Sequence, residues 1–368
     1  MRTTGTRVVG AGAATRPGRS GAEVPSLLEP RRQRPPIVRW ALVGAFFLAV
    51  EIFVITTWFT SGEATPTSTG ADPVPGYIKG WAIALQIVCP LIFVAALVYV
   101  VRQCRRERRL TFDAVLLIAW CLVYWQDPML NYLRPIFSYN SYLVNLGSWT
   151  SRTPGWMSPR GHLMPEPLVL GGTVYGWFLF ASMMTCAAMR WAKRRWPHLG
   201  STGLVTVGFA SMILFDFVLE VFFVRTHMYI YASVVKELTI FHGTWNQFPI
   251  YESFLWGGMM AATGVLRYFR DDRGRSVVER GVDQLEATTT KKNILRILAV
   301  SGCLNVMFIF TYNLPIQVFN LHADDPPELP TYLRNDLCGE GTPYRCPGPD
   351  TPIYLRGQEG DVRGGGGG

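Results

Sequence analysis

The feature that most constrains this chain is a series of apolar stretches long enough to cross a lipid bilayer. A transmembrane helix needs about 20 predominantly apolar residues. Such stretches occur at 37–60, 77–101, 113–133, 168–191, 201–224, 249–269 and 293–313. In hydrocarbon every backbone N–H and C=O must be paired within the segment or with a neighbouring one, which leaves helices or closed barrels. Stretches of this length predict an all-α, polytopic membrane helical bundle of about seven transmembrane helices. The composition agrees, with 49% hydrophobic and only 17% charged residues. The third stretch opens at Asp113 and meets Asp127 and Pro128, so its last turns are expected to bend, unwind or re-enter.

Orientation follows from Lys and Arg, which are retained on the cytoplasmic side. The N-terminal tail is rich in Arg. The second connection carries Arg102, Arg105, Arg106, Arg108 and Arg109, the fourth Lys193, Arg194 and Arg195, and the sixth includes Arg270, Arg273, Arg275, Lys291 and Lys292. The first connection, 61–76, has no basic residue, and the third and fifth have few. The rule is met with the N-terminus inside and the C-terminus outside, as a multi-pass protein of the cell membrane. The formal charge of +9 is then cytoplasmic and lipid-facing, and nucleic acid is excluded as a partner.

Three regions follow. Residues 1–36 read as a disordered basic cytoplasmic tail, 37–325 as the transmembrane bundle with an aromatic exterior loop at 134–167, and 326–368 as an exterior Pro/Gly-rich tail. The long basic lead and Glu51 within the first span favour an uncleaved helix over a signal peptide. Cys338 and Cys346 flank seven residues of the exterior tail, where an oxidising environment permits a disulfide. The other cysteines lie in or near spans and read as small core residues.

Glu51, Asp127, Asp216, Glu220 and Glu252 lie within or at the edge of the apolar runs. An Asp at the centre of a membrane helix costs at least roughly 2.5 to 3.5 kcal/mol. On the topology above all five fall in the outer half of the membrane. Asp216 and Glu220 are four residues apart in DFVLEVFF, on one helix face. Two carboxyls this close in low dielectric resist joint ionisation, and a neutral acid beside a carboxylate forms an acid and base pair. The plainer alternative is that each acid pairs with Arg225 or backbone groups and fixes helix packing.

The outer loops add to this. His162, His227, His242 and His322 share the side of the acids, and His227 and His242 flank the fifth connection in RTHMYIYA and FHGTWNQFPIYES. None has metal-site spacing, so no metal is expected. The connection RPIFSYNSYLVNLGSWTSRTPGWMSPRGHLMPEP is dense in aromatic residues and is expected to fold over the bundle as a cap. Polar contacts to a ligand are expected from Asn131, Arg134, Asn140 and Asn145 beneath it, and from His227, Trp245, Asn246, Tyr251 and Glu51. Such a pocket suits a lipophilic small molecule bearing several oxygens. A loop resting on the membrane without a ligand is the simpler reading.

The runs DPMLNYLRPIFSYNSYLVNLGSWT, PGWMSPRGHLMPEP, DFVLEVFFVRTHMYIYA and HGTWNQFPIYESFLWG resemble the AveC-like spirocyclase family of actinobacterial membrane proteins, over roughly residues 37–325. The resemblance implies a role in secondary metabolism, closing a dihydroxy-ketone of polyketide origin into a spiroketal or dehydrating that ring. It carries no catalytic residue set. The chemistry fits the acids: a protonated carboxyl donates to a hemiketal hydroxyl, water leaves through an oxocarbenium ion, and a carboxylate stabilises the cation and accepts the last proton. No cofactor is expected. The residues give Asp216, Glu220, Asp127, Glu252 and His242 as the catalytic set, with Glu220 or Asp216 as acid and Glu252 with His242 as the opposite wall.

Two other classes stand beside the cyclase: a proton-coupled transporter or permease for a lipid or polyketide, and a non-catalytic membrane partner of a biosynthetic complex. Acid chains suit proton relays, but a transporter usually reaches both faces and shows internal repeats. Rhodopsin-like photochemistry is disfavoured because NILRILAVSGCLNVMFIFTYN has no Lys. ATP coupling has no Gly-rich phosphate loop to support it.

Overall fold

A computed structural model of the protein describes residues 35–354; the first 34 residues of the expected basic tail and the chain after 354 lie outside them. The fold is mostly helical. Among the described residues five helical segments are long and apolar enough to cross a membrane. They are α1 (Pro36–Thr60), α2 (Gly76–Glu107), α4 (Leu170–Arg195), α5 (Ser201–Arg225) and the run Thr289–Asn320. That last run comprises α7 (Thr289–Phe308), a π-helical turn at Ile309–Asn313 and α8 (Leu314–Asn320). The two remaining apolar stretches are helical but fall short in length or hydropathy: α3 (Phe112–Cys121) and α6 (Ile250–Tyr268).

Why α3 stops early is written in its sequence. After Cys121 the chain tightens into a 3-10 segment, Tyr124–Asn131, that contains Asp127 and Pro128. A proline inside a helix removes one hydrogen bond and clashes with the carbonyl four residues back. Side chains pin the broken segment. Gln126 donates to Asn305 at 2.6 Å and accepts from Asn313 at 2.8 Å, while the Asn131 amide oxygen accepts from the Ile136 and Phe137 N–H groups at 3.0 and 2.9 Å. The break therefore directs Asp127 into the bundle.

The closest helix crossing is between α1 and α7. A Cβ on Gly44 would stand 1.9 Å from the Leu298 carbonyl oxygen, and one on Gly302 2.5 Å from the Gly44 nitrogen. Small residues at such a crossing let two backbones meet, which is how membrane helices gain packing contacts where lipid is as apolar as the side chains. At the opposite end from the cavity described below, two buried ion pairs fasten the bundle. Arg267 of α6 grips Asp113 of α3 through two bonds of 2.9 and 2.8 Å, with the Tyr99 hydroxyl of α2 on the same carboxylate at 3.1 Å. Arg296 of α7 meets Glu279 at 2.7 Å, and Glu279 also accepts from the N–H and hydroxyl of the N-cap residue Ser276.

On the other side, β1 (Phe137–Tyr139) pairs antiparallel with β2 (Tyr229–Tyr231), and a shorter ribbon joins β3 (Thr239–Ile240) to β4 (Phe248–Pro249). Strand side chains alternate between faces, so Phe137, Tyr139, Tyr229 and Tyr231 share one face of the first ribbon. That face is buried. The 326–354 segment lies over the ribbon, with Cys338 and Cys346 joined in a disulfide. Arg134 donates to the carbonyls of Gly348 and Thr351, and Asn335 donates to Ser138 and to the Tyr139 carbonyl.

The aromatic loop is further tied to the first connection. Glu63 accepts from Ser151 and from Arg152, the latter at 2.6 Å. Burial alone would raise Glu63, but bonds from Ser151 and Arg152 and the Arg152 charge outweigh it and hold the carboxyl below its ordinary range. A depressed folded-state carboxyl contributes stability that is present above its unfolded value, about 4.3, and is lost as pH falls through the folded value. Hydrogen exchange in the 148–166 segment is accordingly expected to accelerate only under strongly acid conditions, and Glu63→Gln to abolish that acid dependence. Equal exchange in both proteins across the acid range would rule the anchor out.

Candidate active site

Beneath the β1–β2 ribbon lies a narrow cavity of about 70 Å³. Its walls come from several elements of the bundle: Asp127 from the broken third helix, Tyr175 and Phe178 from α4, Glu220 and Phe223 from α5, Glu252 and Trp256 from α6, and Tyr312 from the π-helical turn. The ribbon supplies Phe137, Tyr139, Tyr229 and Tyr231. This volume holds a few water molecules, whereas drug-sized ligands occupy pockets of about 300 Å³ or more. A large ligand thus enters only when the aromatic walls part.

Each acid at the wall is held by tyrosine. Tyr139 and Tyr175 donate to the two oxygens of Asp127 at 2.8 and 2.7 Å, Tyr231 donates to Glu220 at 2.7 Å, and Tyr312 donates to Glu252 at 2.7 Å. The π-helical turn adds a residue to the helical repeat, a distortion that recurs at functional sites. Here it stacks Tyr312 on Phe308, rings parallel and 5.1 Å apart, with its hydroxyl at Glu252. Among the described residues no Lys, Arg or His lines the cavity. Three acids with hydroxyl donors and aromatic faces, and no cation, make a site suited to a developing positive charge.

A fourth carboxyl stands behind the wall. Glu166 comes from the end of the aromatic loop, its backbone N–H bonded to the Gly147 and Met164 carbonyls at 3.2 and 3.0 Å. Its side chain is 2% exposed, one oxygen has no partner, and the carboxyl is within hydrogen-bond reach of Asp127. Burial first, then the Asp127 charge and bond, push Glu166 well above the usual carboxylate range.

Of the residues singled out in the sequence, Asp127, Glu220 and Glu252 meet at this cavity. Asp216 does not line it: it is fully buried one turn away on α5, neither carboxylate oxygen has a hydrogen-bond partner within bonding geometry, and the Ser253 side chain is among its polar neighbours. Glu51 is half-buried on α1 beside Cys121, away from the other acids. Asn131 and Arg134 are engaged by the backbone bonds described above. Asn140 and Asn145 likewise bond loop backbone. Tyr251, next to Glu252, turns away and stacks on Phe319 with centroids 4.0 Å apart.

His227, Trp245 and Asn246 line a second, open cleft of about 900 Å³. There His227 bonds the Tyr77 hydroxyl at 3.0 Å, and burial, then the Arg225 charge, hold its imidazole below the ordinary value. His242 sits half-buried in the turn between β3 and β4 and lines neither space.

Sequence reasoning passed over Tyr139, Tyr175, Tyr229, Tyr231, Tyr312 and Glu166. A signal for Glu166 was available, because it is the only acid in the 134–167 connection. The tyrosines gave no such signal, since in aromatic-rich segments nothing local separates a hydroxyl that meets an acid from one that meets solvent or lipid.

No curated protein and no solved structure matches the chain. The family described as Spirocyclase AveC-like matches residues 107–332, well over half of the chain, and leaves α1 and nearly all of α2 outside. Within that range lie the acids at the wall, Glu166, the aromatic loop and the ribbon. A spirocyclase-type role in polyketide biosynthesis is what that description points to. The chain belongs to the AveC-like spirocyclase family.

Proposed function

We propose that the protein is a membrane-embedded cyclase that closes a lipophilic dihydroxy-ketone of polyketide type into a spiroketal, or dehydrates that ring, within the tyrosine-lined cavity. The observation that carries this reading is the meeting of three tyrosine-bonded carboxyls and no cation in one aromatic enclosure. Spiroketal closure starts from the hemiketal. A carboxylic acid protonates its hydroxyl, the C–O bond breaks and water leaves, and an oxocarbenium ion forms. The second hydroxyl then attacks that carbon, and its proton passes to a carboxylate, so the net change is loss of one water. Glu220 and Glu252 face the cation and stabilise it. Asp216 and His242, which do not reach the cavity, drop out of the reacting set.

In this reading the chain crosses the cell membrane seven times, N-terminus inside and C-terminus outside, with α3 and its 3-10 extension and α6 as the shorter crossings. The cavity then opens in the outer half, and a lipophilic substrate reaches it from the bilayer. The test uses purified protein in lipid nanodiscs with a synthetic lipophilic dihydroxy-ketone, followed by mass spectrometry. Formation of a product lighter by one water, faster than in empty nanodiscs, is the expected result; rates equal to the empty discs would refute it.

One observation favours a second reading, a proton-coupled transporter. Asp216 is an acid buried on the same helix as Glu220 with neither oxygen hydrogen-bonded, as a relay site would be. In that case cells carrying the protein would show an unchanged metabolite inventory with an altered partition between cells and medium.

A further inference from the structure

We propose that Glu166 and Asp127 act as one unit holding a single proton, and that Glu166 is the positioning residue that loads Asp127 for delivery of this proton into the cavity. This rests on the cyclase reading for the proton's destination, but not for the pairing itself. Three placements argue for it. Asp127 faces the cavity with both oxygens already accepting tyrosine hydroxyls. Glu166, buried in the loop with one oxygen unpartnered, brings its carboxyl within hydrogen-bond reach of Asp127. Among the described residues no Arg, Lys or His lines the cavity that Asp127 faces. Two ionised carboxylates in contact in such surroundings repel strongly, whereas one shared proton turns the contact into a charge-assisted hydrogen bond. At rest Glu166 donates to an Asp127 carboxylate that also accepts from Tyr139 and Tyr175.

The consequence for the reaction is a balanced proton cycle. Glu166 passes its proton to Asp127 as Asp127 protonates the departing hydroxyl. The pair is then briefly doubly negative, and the oxocarbenium ion forming in the same enclosure offsets that charge. Attack by the second hydroxyl releases one proton, which returns to the pair. Glu166 touches no substrate in this scheme and acts through Asp127 alone.

Infrared difference spectroscopy of the protein in nanodiscs tests the pairing without any substrate, through the carbonyl stretch of a protonated carboxylic acid near neutral pH. Glu166→Gln should erase one such band. Asp127→Asn should move that same band rather than remove it, because the Glu166 hydroxyl then bonds an amide in place of a carboxylate. A spectrum untouched by Glu166→Gln, or a band indifferent to Asp127→Asn, would overturn the proposal; should Glu166→Gln not fold, Asp127→Asn alone decides it. With the dihydroxy-ketone, Glu166→Gln should lower kcat about 10²-fold with KM little changed. Adding it to Asp127→Asn should cost nothing further, and a full additional loss would also overturn it. If the band behaves as expected but no protein converts the ketone, the pairing stands and the cyclase reading falls.

Discussion

Glu220→Gln and Glu252→Gln should each lower turnover of a dihydroxy-ketone by about 10²- to 10⁴-fold, the range over which acid–base and preorganised electrostatic groups act. Glutamine keeps the shape of glutamate, and its carbonyl can still accept from Tyr231 or Tyr312, so the aromatic wall should stand. What disappears is a carboxyl able to carry negative charge toward the cation. The loss should therefore fall on kcat, with KM nearly constant, because neutral substrate and cation differ in their need for that charge. Asp216→Asn, one turn behind the wall, should lose far less, and His242→Gln nothing. Wild-type kcat in either glutamine variant, or an Asp216→Asn variant as crippled as Glu220→Gln, would remove this assignment.

The largest effect on stability is expected at the other end of the bundle. Arg267 and Asp113 are 8% and 1% exposed, and removing one partner leaves a buried charge uncompensated. Arg267→Met should cost about 3 to 5 kcal/mol, seen as a much lower unfolding temperature in detergent by tryptophan fluorescence. The double variant Arg267→Met, Asp113→Leu should recover most of that loss, since a buried ion pair is often no better than apolar residues of similar volume. If the double variant were as unstable as the single one, the pair would be contributing something other than mutual neutralisation, and the account would fail. The Tyr99 hydroxyl, which loses its acceptor in the double variant, is the natural place to look next.

Much of this architecture could be read from residue order because membrane helices announce themselves by length and continuity. The change of helix type after α3 was legible for a different reason, the Asp127–Pro128 pair that the 3-10 segment contains. Buried acids were legible too: Asp127, Glu220 and Glu252 stand out against apolar neighbours, and these three meet at one cavity. What could not be read was partnership. Asp113 and Arg267 are 154 residues apart, and Tyr312 and Glu252 are 60 apart. Asp216 and Glu220 share a helix face in sequence, yet a single turn separates a cavity wall from closed packing. Arg134 and Asn131 looked like ligand contacts because they are polar among aromatics. Instead they serve backbone groups that a folded loop leaves in need of partners. The π-helical turn that brings Tyr312 to Glu252 has no local marker.

The absence of any cationic residue from the cavity wall bears on pharmacology. A wall built only of acids, hydroxyls and aromatic faces discriminates by charge before it discriminates by shape. Ligands carrying a carboxylate or phosphate would be repelled. A neutral polyol would be admitted, and a lipophilic cyclic amine, positively charged where the oxocarbenium ion develops its charge, would lodge there and stay. Such an amine should inhibit competitively in the nanodisc assay and lose its hold in Glu220→Gln, whereas the matching carboxylic acid should not bind; equal inhibition by both would show that the wall does not select by charge. The same tyrosines that spare the acids from lipid thus define the class of compound able to block the protein.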